Sequence, residues 1–529
     1  MSLFTNLRAP PKASPEQAAI IQAVAAMKPR EAVAAEARAG TGKTFTLVQS
    51  IEAIRRARPG AKVLVLVFGK KAAAEVKARA SAGVADIFTC HAFAKSFIQP
   101  IGSPVFGKLM DLTKTEFGPG FIRNPKVRWL CTELVDLAMD LAVGLPGELP
   151  ATVGTFQALI ENYAKRLPKG AKADHVAADA LKLFGAALKD PRCTFADYGY
   201  RAARDGLPEG MAYDFVLVDE AQDLNPIQFR LLDRLRERGA ALAFYGDPFQ
   251  GIYGWRGAGT NSFDVIRDRY AAKVYPIATT RRCAESIVAE AKRIVPDIQA
   301  VPDAPEGIVG TCPPLGVVGL LQELAEAPEG STAVLCRNNA PLLKMALQAV
   351  RAGLRVCVLG KAPGQDATYL LPKIFDPARS PTDTRAFGDY LVALRAELAD
   401  KPFVLQSEEE KVDVVRVLYD HVYAQNPKVD TLADLLAEIQ AACAKWFAED
   451  EVPGAFTFST IHRAKGLEWD NVVFLAPETL PSRAARKAKG WHLDQERNLA
   501  YVAVTRARKV LLYATIAEDA LAGVLEGTP

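Results

Sequence analysis

The stretch Ala37-Arg38-Ala39-Gly40-Thr41-Gly42-Lys43-Thr44 lies between an apolar run, residues 32–35, and a segment with helical periodicity. Its spacing follows the phosphate-binding loop pattern GxxxxGK[ST], with alanine in place of the first glycine. Gly40 and Gly42 allow backbone N–H groups to close around phosphate oxygens. Lys43 supplies a cation for the β and γ phosphates, and Thr44 supplies a hydroxyl for Mg²⁺. The stretch predicts a strand, loop and helix of an α/β fold that binds a nucleotide.

A second apolar run, residues 215–218, ends in the carboxylates Asp219 and Glu220. The run does not alternate with polar residues, which is typical of a buried parallel strand. Ligands of doubly wound sheets bind at the carboxyl ends of strands, so both carboxylates would face the phosphate loop. Asp219 is then the candidate Mg²⁺ ligand and Glu220 the candidate general base. Either motif alone could be an ordinary turn, but together they predict nucleotide hydrolysis.

Composition sets broad limits on the class of protein. The chain has 529 residues, of which 50% are hydrophobic, enough for three or four domains at about 150 residues each. A net charge of +4 is slight, so any surface that binds nucleic acid must be local. The cysteines have no CxxC spacing and do not pair with histidines, which favours reduced thiols and argues against zinc or iron–sulfur sites. No segment reaches the roughly 20 apolar residues that a bilayer span needs, and the pattern of residues 1–17 does not predict a signal peptide. We expect a soluble protein of the cytoplasm or nucleoid, without a membrane partner.

Two sets of β-rich segments follow one another, and a helical insertion interrupts each of them. The first set comprises residues 32–36, 62–69, 85–91, 214–220 and 241–247. The second set comprises residues 273–279, 332–337, 355–360, 455–462, 471–476 and 509–515. Helical periodicity marks residues 127–143, 156–167 and 175–188 in the first insertion, and 384–398, 408–423 and 432–447 in the second, which opens with a proline-marked stretch at 369–381.

These patterns predict an α/β protein with two parallel-sheet domains, each carrying a helical inserted subdomain. Residues 1–106 and 210–270 would form the first domain, with the insertion at 107–209. Residues 271–361 and 454–529 would form the second domain, with the insertion at 362–453.

Further motifs along the chain carry a resemblance to a known family. They are Ser14-Pro15-Glu16-Gln17, Val67-Phe68-Gly69-Lys70-Lys71-Ala72-Ala73, Thr89-Cys90-His91-Ala92-Phe93, Tyr245-Gly246-Asp247-Pro248-Phe249-Gln250-Gly251-Ile252-Tyr253-Gly254-Trp255-Arg256-Gly257, Thr460-Ile461-His462-Arg463-Ala464-Lys465-Gly466-Leu467-Glu468 and Tyr501-Val502-Ala503-Val504-Thr505-Arg506-Ala507. In this order they resemble the superfamily-1 DNA helicases of the UvrD/Rep/PcrA group over nearly the whole chain. The short second insertion is more similar to the compact viral and F-box branches. The resemblance implies two RecA-like P-loop domains that hold ATP in their cleft and single-stranded DNA across their top.

The resemblance also implies roles at the nucleotide. The catalytic residues would be Lys43, Asp219, Glu220, Gln250, Arg282 and Arg506, with Thr44 and Asp219 on Mg²⁺. The residues that bind ATP would be Gln17, Ala39, Gly40, Thr41, Gly42, Lys43, Thr44, Phe45, Arg281, Lys465 and Glu468. Arg282 and Arg506 would act on the transition state when the domains close, although a solvated surface arginine is the alternative for each. Arg281 replaces the tyrosine of the family and Phe45 an arginine, which predicts a rebuilt adenine pocket.

The residues that match DNA-contacting positions of the family are Phe68, Lys70, His91, Tyr253, Trp255, Arg256 and His462. Aromatic faces stack on bases without regard to sequence, and donors hold phosphates. For the aromatic rings the alternative is a place in the core, and for the histidines it is a capping or core role. The basic run 483–489 is either a DNA-tracking patch or an ordinary solvated loop.

The sequence thus predicts an ATP-dependent DNA translocase and helicase, and the resemblance implies 3′-to-5′ polarity. Its partners would be single-stranded and tailed duplex DNA, and the protein would be a monomer or weak oligomer. One alternative is a translocase that strips proteins from DNA or drives a partner nuclease without processive unwinding. Another is a DNA-binding module in which ATP acts only as a switch, against which Glu220, Gln250 and the two arginines argue.

Overall fold

The computed structural model describes residues 12–515 except 82, 99–106, 116–123, 164, 166, 169, 260, 314–315, 327–329, 361–383, 400–405, 427–430, 432–433, 436, 439–440, 442–446, 449 and 489. The chain divides into two compact units between Thr279 and Thr280. Each unit has its own parallel β-sheet, and helices join the strands. The predicted α/β fold class is confirmed.

The first unit contains a six-stranded sheet. Its strands are β1 (Ala32–Ala37), β2 (Val63–Val67), β3 (Asp86–Thr89), β4 (Phe215–Val218), β5 (Ala241–Gly246) and β6 (Lys273–Ile277). They lie in the order β3-β2-β4-β5-β1-β6, and every pairing is parallel. The strand β4, which carries the predicted carboxylates, therefore lies between β2 and β5.

The apolar runs of this sheet supply two cores, one on each face. In β4, Val216 and Val218 join the core that contains Leu66 and Phe244. Their neighbour Leu217 joins the other core. Successive side chains of a strand point to opposite faces, so a strand that is covered on both sides is apolar at every position. This geometry explains why the sequence shows continuous runs rather than alternation.

Helices cover this sheet and build the first insertion. Those that flank the strands are Pro15–Ala26, Lys43–Ala57, Lys70–Arg79, Cys90–Phe97, Pro226–Glu237 and Ser262–Tyr270. Those within the predicted insertion are Lys108–Thr115, Pro125–Asp140, Val153–Asn162, Ala173–Lys189 and Phe195–Asp205. The insertion helices share a separate apolar core around Leu134, Phe156 and Leu183. They therefore form a subdomain within the first unit.

The second unit contains a seven-stranded sheet and a short ribbon. The ribbon pairs β7 (Thr279–Thr280) with β8 (Gln299–Ala300). The remaining strands are β9 (Ile308–Thr311), β10 (Thr332–Cys336), β11 (Val356–Leu359), β12 (Phe447–Ala448), β13 (Phe456–Thr460), β14 (Trp469–Leu475) and β15 (Ala507–Ala514). They lie in the order β12-β11-β13-β10-β14-β15-β9, again with parallel pairings.

Among the described residues, the helices of the second unit are Glu285–Lys292, Val317–Glu326, Asn339–Arg351, Thr384–Ala399, Gln406–Gln425, Ile461–Ala464, Arg483–Ala488 and Trp491–Val504. Two helices of the predicted second insertion, Thr384–Ala399 and Gln406–Gln425, pack with Asn339–Arg351 around Phe387, Val415 and Leu418. The predicted stretch 369–381 and most of the predicted helix 432–447 lie outside the described residues. In the part of the chain that the structure describes, no helix is long and apolar enough to cross a membrane.

One strand prediction needs correction, and three short strands, β8, β9 and β12, were not predicted. The segment 273–279 was predicted with the second β set, but β6 pairs with β1 in the first sheet, Val33 opposite Lys273. The first compact unit accordingly continues to Thr279, nine residues past the predicted bound at 270. The edge strand β9 had no predicted counterpart, because Ile308-Val309-Gly310-Thr311 contains a glycine and Ile308 is exposed. The other predicted domain bounds stay predictions.

Candidate nucleotide and DNA sites

The phosphate loop joins β1 to the helix Lys43–Ala57. Gly40 and Gly42 have φ angles of 72° and 80°, in the left-handed region that glycine enters without the steric cost of a Cβ. Lys43 and Thr44 are the first two residues of the helix. The first N–H groups of a helix have no intrahelical acceptor, so they accompany the lysine cation as donors for an anion. The loop fits a polyphosphate.

Gln17 attaches this loop to the helix Pro15–Ala26. The backbone N–H of Ser14 donates to Gln17 Oε1 at 2.9 Å as part of a capping box. Gln17 Nε2 donates to the carbonyl oxygen of Thr41 at 2.9 Å. A Cβ at Gly42 would lie 2.9 Å from the same Nε2, so this close approach also requires glycine. In this conformation the Gln17 amide serves the loop, and its contact with adenine stays a prediction.

Arg38 belongs to the phosphate loop, and the loop motif predicts no role for it. It is almost fully buried, and its Nη2 pairs with Glu36 Oε1 at 3.0 Å. Its guanidinium also lies 4.9 Å from the centroid of the Phe249 ring, a cation–π contact. Phe249 precedes Gln250, so Arg38 connects the phosphate loop to the segment that follows β5. The only sequence signal was a charged residue among small ones.

Buried carboxylates follow two neighbouring strands of the first sheet. Asp219 comes directly after β4, and Asp247, which the sequence did not single out, comes directly after β5. Burial and the neighbouring Glu220 raise the pKa of Asp219 to about 7, and Lys43 opposes this rise. Burial also raises the pKa of Asp247, opposed by Lys43 and Arg38. Lys43 is thus the cation that both carboxylates share.

Gln222 links the two carboxylate segments and is a further residue that the sequence did not single out. Its Nε2 donates to Glu220 Oε2, and its Oε1 accepts the backbone N–H of Asp247 at 3.0 Å. A Cβ at Gly246 would lie 2.4 Å from Gln222 Oε1, so only glycine permits this approach. Gln250, 3% exposed, donates from Nε2 to Asp247 Oδ2 at 2.7 Å. The predicted base and the predicted γ-phosphate sensor therefore belong to one hydrogen-bonded network.

Glu220 itself has a φ of 51°, an uncommon left-handed conformation for a residue with a Cβ. Such backbone conformations persist where the surrounding structure fixes them, and they cluster at functional sites. Gln222 and the following turn Ala221–Asp223 supply that support here. The conformation is consistent with a carboxylate that is held for chemistry.

The predicted DNA-contacting aromatic residues lie close together at the surface of the first unit. Phe68 and Tyr253 stack with their ring centroids 5.1 Å apart and an angle of 15° between the planes. Trp255 is 51% exposed on the short turn Gly254–Arg256, which contradicts the alternative that it packs in the core. The side chain of Arg256 lies outside the described part of the chain. Base stacking by these rings stays a prediction.

The other predicted DNA contacts are Lys70, His91 and His462, which differ in exposure. Lys70 is exposed at the start of the helix Lys70–Arg79. His91 is exposed in the first turn after β3, with its ring edge-on to Phe195 at 6.4 Å. His462 follows β13 and is half-buried, and burial, Arg337 and Lys465 lower its pKa to about 3. At neutral pH His462 is therefore uncharged and could contact DNA only through a neutral imidazole.

The remaining predicted nucleotide residues are placed as follows. Phe45 is half-buried in the first turn after the phosphate loop. Arg281 is exposed directly after β7. Lys465 is half-buried at the end of the helix Ile461–Ala464, beside His462. Their contacts with a nucleotide stay predictions.

The second unit gathers arginines around one carboxylate. Arg282 donates from Nε to Glu468 Oε2 and from Nη1 to the carbonyl oxygen of Thr505 at 3.1 Å. Arg508 donates to Glu468 Oε1 from Nη2 at 2.6 Å and from Nε at 3.2 Å. Burial acts to raise the pKa of Glu468, but the two arginines outweigh it and the net shift is downward. The carboxylate is therefore ionised and shared by two cations.

Arg506 lies against the same cluster and is fully buried. Its Nε donates to the carbonyl oxygen of Val502 at 3.1 Å, and its Nη1 donates to that of Leu467 at 3.0 Å. Burial and the charge of Arg282 lower its pKa. The alternative of a solvated surface arginine is thus wrong for Arg506. Its action on a nucleotide stays a prediction.

Mg²⁺ binds nucleotide sites through one or two protein oxygens together with phosphates and water. Within the described ranges, no three His, Cys, Asp or Glu side chains come together as an all-protein metal site would require. Asp219 offers a carboxylate and Thr44 a hydroxyl, which are the donor types that Mg²⁺ prefers. A buried carboxylate with a raised pKa gains most from an arriving cation. These residues fit a magnesium–nucleotide complex.

Comparison with known proteins agrees with this geometry. A family model described as the UvrD-like helicase C-terminal domain matches residues 151–518, and one described as an AAA domain matches residues 20–256. The chain belongs to the UvrD-like helicases, which are DNA helicases that hydrolyse ATP. The predicted resemblance is thereby confirmed.

Three relatives illustrate the range of similarity. ATP-dependent DNA helicase UvrD2 of Mycobacterium tuberculosis (strain ATCC 25618 / H37Rv) is 27% identical over 548 residues, which cover 92% of this chain and 77% of the relative. F-box DNA helicase 1 of Gallus gallus is 25% identical over 335 residues, 60% of this chain and 30% of the relative. The RecBCD enzyme subunit RecB of Mycobacterium tuberculosis (strain CDC 1551 / Oshkosh) is 46% identical over 61 residues, 12% of this chain and 5% of the relative. A closer relation to the F-box branch stays a prediction.

Proposed function

We propose that this helicase is a magnesium-dependent translocase that moves 3′ to 5′ on single-stranded DNA and separates the strands of tailed duplexes. The observation that carries the proposal lies within the first unit. There, a segment that begins at Asp247 in the nucleotide site continues through Gln250 to the surface aromatics Tyr253 and Trp255. One short piece of chain thus belongs to both candidate sites, which supports a motor that couples nucleotide state to DNA.

The chemistry follows from the residues of the first unit. Lys43 and the glycine loop bind the β and γ phosphates, and Asp219 with Thr44 would hold Mg²⁺, which neutralises phosphate charge when it is bound. Glu220, fixed by Gln222, orients the attacking water and accepts its proton. Phosphoryl transfer needs mainly positioning and charge stabilisation, and these groups supply both.

Arg282 and Arg506 complete the proposed site as cations from the second unit. Arginines that approach the transferred phosphoryl group stabilise its charge and are typical of enzymes that hydrolyse only when correctly assembled. Arg282 is only partly buried, with 16% of its side chain exposed. We assign Arg282 the direct contact with phosphate. Arg506 would stabilise the phosphoryl charge through its own buried charge, without direct contact.

A second candidate function is a translocase that strips proteins from DNA or drives a partner nuclease without processive unwinding. The observation that favours it is the 46% identity over 61 residues with the RecB subunit, whose name places it in a larger enzyme. The same nucleotide and DNA residues would serve this activity. The two candidates differ only in what happens to duplex ahead of the motor.

The test compares duplexes with a 3′ tail, a 5′ tail or blunt ends in the presence of ATP and Mg²⁺. We expect strand separation only with the 3′ tail, and ATPase activity that single-stranded DNA stimulates. Lys43→Ala is the matched control and should abolish both, because it removes the phosphate cation. Separation of the 5′-tailed duplex instead would contradict the proposed polarity.

The alternative is tested on biotinylated single strands that carry streptavidin at either end. Displacement of streptavidin without separation of any duplex would favour the stripping or nuclease-driving function. ATPase activity that DNA does not stimulate, with no displacement, would contradict both candidates.

A further inference from the structure

Glu468 occupies a position that the family resemblance relates to the ribose, yet its carboxylate is engaged by the protein. Oε2 accepts a hydrogen bond from Arg282 Nε. Oε1 accepts hydrogen bonds from Arg508 Nη2 at 2.6 Å and from Arg508 Nε at 3.2 Å. Each oxygen therefore serves a different arginine. A carboxylate bound in this way by two guanidinium groups is restricted in rotation, and it restricts both partners in turn.

Arg282 is held at two of its three nitrogens. Nε is fixed by Glu468, and Nη1 by the carbonyl oxygen of Thr505. Within the described part of the chain, Nη2 makes no hydrogen bond. A planar guanidinium fixed at two nitrogens has a defined orientation for the third, which can then donate to a phosphate oxygen without losing further side-chain entropy.

The backbone places these groups side by side. Glu468 immediately precedes β14, and Arg506 immediately precedes β15, and the first residues of these strands, Trp469 and Ala507, are paired in register. Arg508 is the second residue of β15. Two arginines therefore bind a single carboxylate, and the charge of a third, Arg506, lies near enough to interact with it. Without that carboxylate, Arg282 would face the like charges of the other two and would be repelled from its present position.

We propose that Glu468 and Arg508 are positioning residues for Arg282: Arg508 holds the carboxylate of Glu468, and Glu468 holds the guanidinium of Arg282 in the orientation that meets the γ-phosphate. This inference rests on the proposed function, in which Arg282 contacts phosphate. Arg508 touches no nucleotide and acts only through Glu468. The ribose role implied by the resemblance makes a different prediction for Glu468, because loss of a ribose contact weakens ATP binding rather than the chemical step.

The experiment measures kcat and KM for ATP at saturating single-stranded DNA in full-length variants. Arg508→Gln keeps a polar amide but removes the charge and the guanidinium group that contacts Glu468, and we expect kcat to fall roughly tenfold with KM nearly unchanged. Glu468→Gln should lower kcat at least as much. The double variant Glu468→Gln/Arg508→Gln should be no slower than Glu468→Gln alone, because in this proposal Arg508 affects Arg282 only through Glu468. Arg508→Gln should likewise add nothing in an Arg282→Ala background.

Lys509→Gln is the matched control. Lys509 is the next residue of the same strand and forms a surface ion pair with Asp470 at 3.6 Å, with 63% of its side chain exposed. We expect parental kcat from it. Arg508→Lys keeps a cation but loses the two-nitrogen contact, so it should recover part of the activity and replaces Arg508→Gln if that variant does not fold.

Several outcomes overturn the positioning role. They are additive losses in the double variant, a raised KM with parental kcat in Glu468→Gln, and an equal loss in Lys509→Gln. If Arg282→Ala itself keeps parental kcat, the assignment of Arg282 to phosphate fails, and the positioning role fails with it. If Arg282→Ala is inactive while Arg508→Gln and Arg508→Lys are parental, only the positioning role fails.

Discussion

The phosphate loop of the first unit and the cluster of Glu468 and Arg506 in the second lie at opposite ends of their strands. In the first unit the phosphate loop follows β1, and Asp219 and Asp247 follow β4 and β5, all at carboxyl ends. In the second unit Glu468 precedes β14 and Arg506 precedes β15, both at amino ends. Two parallel sheets thus carry these candidate groups at different ends of their strands.

The direction of the helices explains this difference. A carboxyl end leads into a helix N-terminus, whose N–H groups and dipole favour anions such as phosphate. An amino end follows a helix C-terminus, whose carbonyl groups favour cations. Arg506 shows this directly, because it follows the helix Trp491–Val504 and donates to the carbonyl oxygen of Val502 in its last turn. The polarity of a βα unit therefore favours phosphate at the carboxyl ends of strands, and it supplies carbonyl acceptors for Arg506 at the amino ends.

The largest effect should come from the arginines of the second unit. Arg282→Ala and Arg506→Ala should each lower DNA-stimulated ATP hydrolysis by about 10³ to 10⁵-fold if both stabilise the transition state, with a smaller loss of ATP affinity. Steady-state ATPase assays and nucleotide binding measure the two effects. Arg506→Lys serves as a folding control, since Arg506 is buried. If either alanine variant kept parental ATPase activity at saturating ATP and DNA, the role of that arginine would be structural and not catalytic.

Glu220, beyond the carboxyl end of β4, should give the next largest effect. Glu220→Gln keeps the shape of the side chain and can still accept from Gln222, but it cannot take a proton. We expect hydrolysis to slow by about 10² to 10⁴-fold while ATP and DNA binding persist. Single-turnover hydrolysis measures the chemical step directly. Glu237→Gln, on an exposed helix end, is the control. Turnover within a few-fold of the parent would remove Glu220 from its role as base.

The DNA surface of the first unit should respond more weakly and in two separable ways. Trp255→Ala should lower single-strand affinity by about 10 to 100-fold, from the roughly 1–3 kcal/mol of a lost stacking face, without changing the salt dependence. Lys70→Ala should weaken binding and reduce the slope of log affinity against log salt by about one unit. Fluorescence titrations at several salt concentrations measure both.

The matched control for the tryptophan is Trp129→Ala, since Trp129 is a similarly exposed tryptophan, 55% against 51%, in the first insertion. It should leave DNA affinity unchanged. Because Trp255 is half exposed, its truncation should barely change the melting temperature. A large drop in melting temperature with unchanged affinity per folded molecule would instead mean that Trp255 supports the fold.

The smallest effect concerns stability and pH in the metal-free, nucleotide-free protein. Burial and Glu220 raise the pKa of Asp219 from its ordinary value near 4 to about 7. Between these values the folded state binds a proton that the unfolded state releases, so the stability of the parent falls as pH rises through this window. Asp219→Asn removes this ionisation and should raise the melting temperature more at pH 8 than at pH 5. An equal change at both pH values in the presence of a chelator would contradict the raised pKa.

The sequence alone predicted most of the first sheet and its loop, because both leave local signals. A buried strand must be apolar at every position, as Phe215–Val218 is, and a phosphate loop must have glycines where φ is positive. Local sequence signals could not predict to which sheet β6 belongs. Its pairing with β1 joins residues about 240 positions apart, and nothing in Lys273–Ile277 itself specifies that partner.

Sequence patterns predicted no role for the residues that support the candidate sites, although Asp247 lies within one of the motifs. Gln222, Asp247 and Arg508 act through neighbours that the fold brings together, and each looks like an ordinary polar residue in the chain. Gly246 is informative in hindsight, since its hydrogen atom leaves the space that Gln222 needs. Positive charge at Arg282 and Arg506 was noticed, but their common carboxylate, Glu468, is more than 180 residues from Arg282 in the chain.

The continuity of the two units has a consequence for engineering. All six strands of the first sheet come before Thr279, and all seven strands of the second come after Thr280. A single break just before Thr279 would divide neither of these sheets nor the ribbon of β7 and β8, and each fragment would keep its own core. The helicase could therefore be produced as two polypeptides, one with the phosphate loop and one with the arginines.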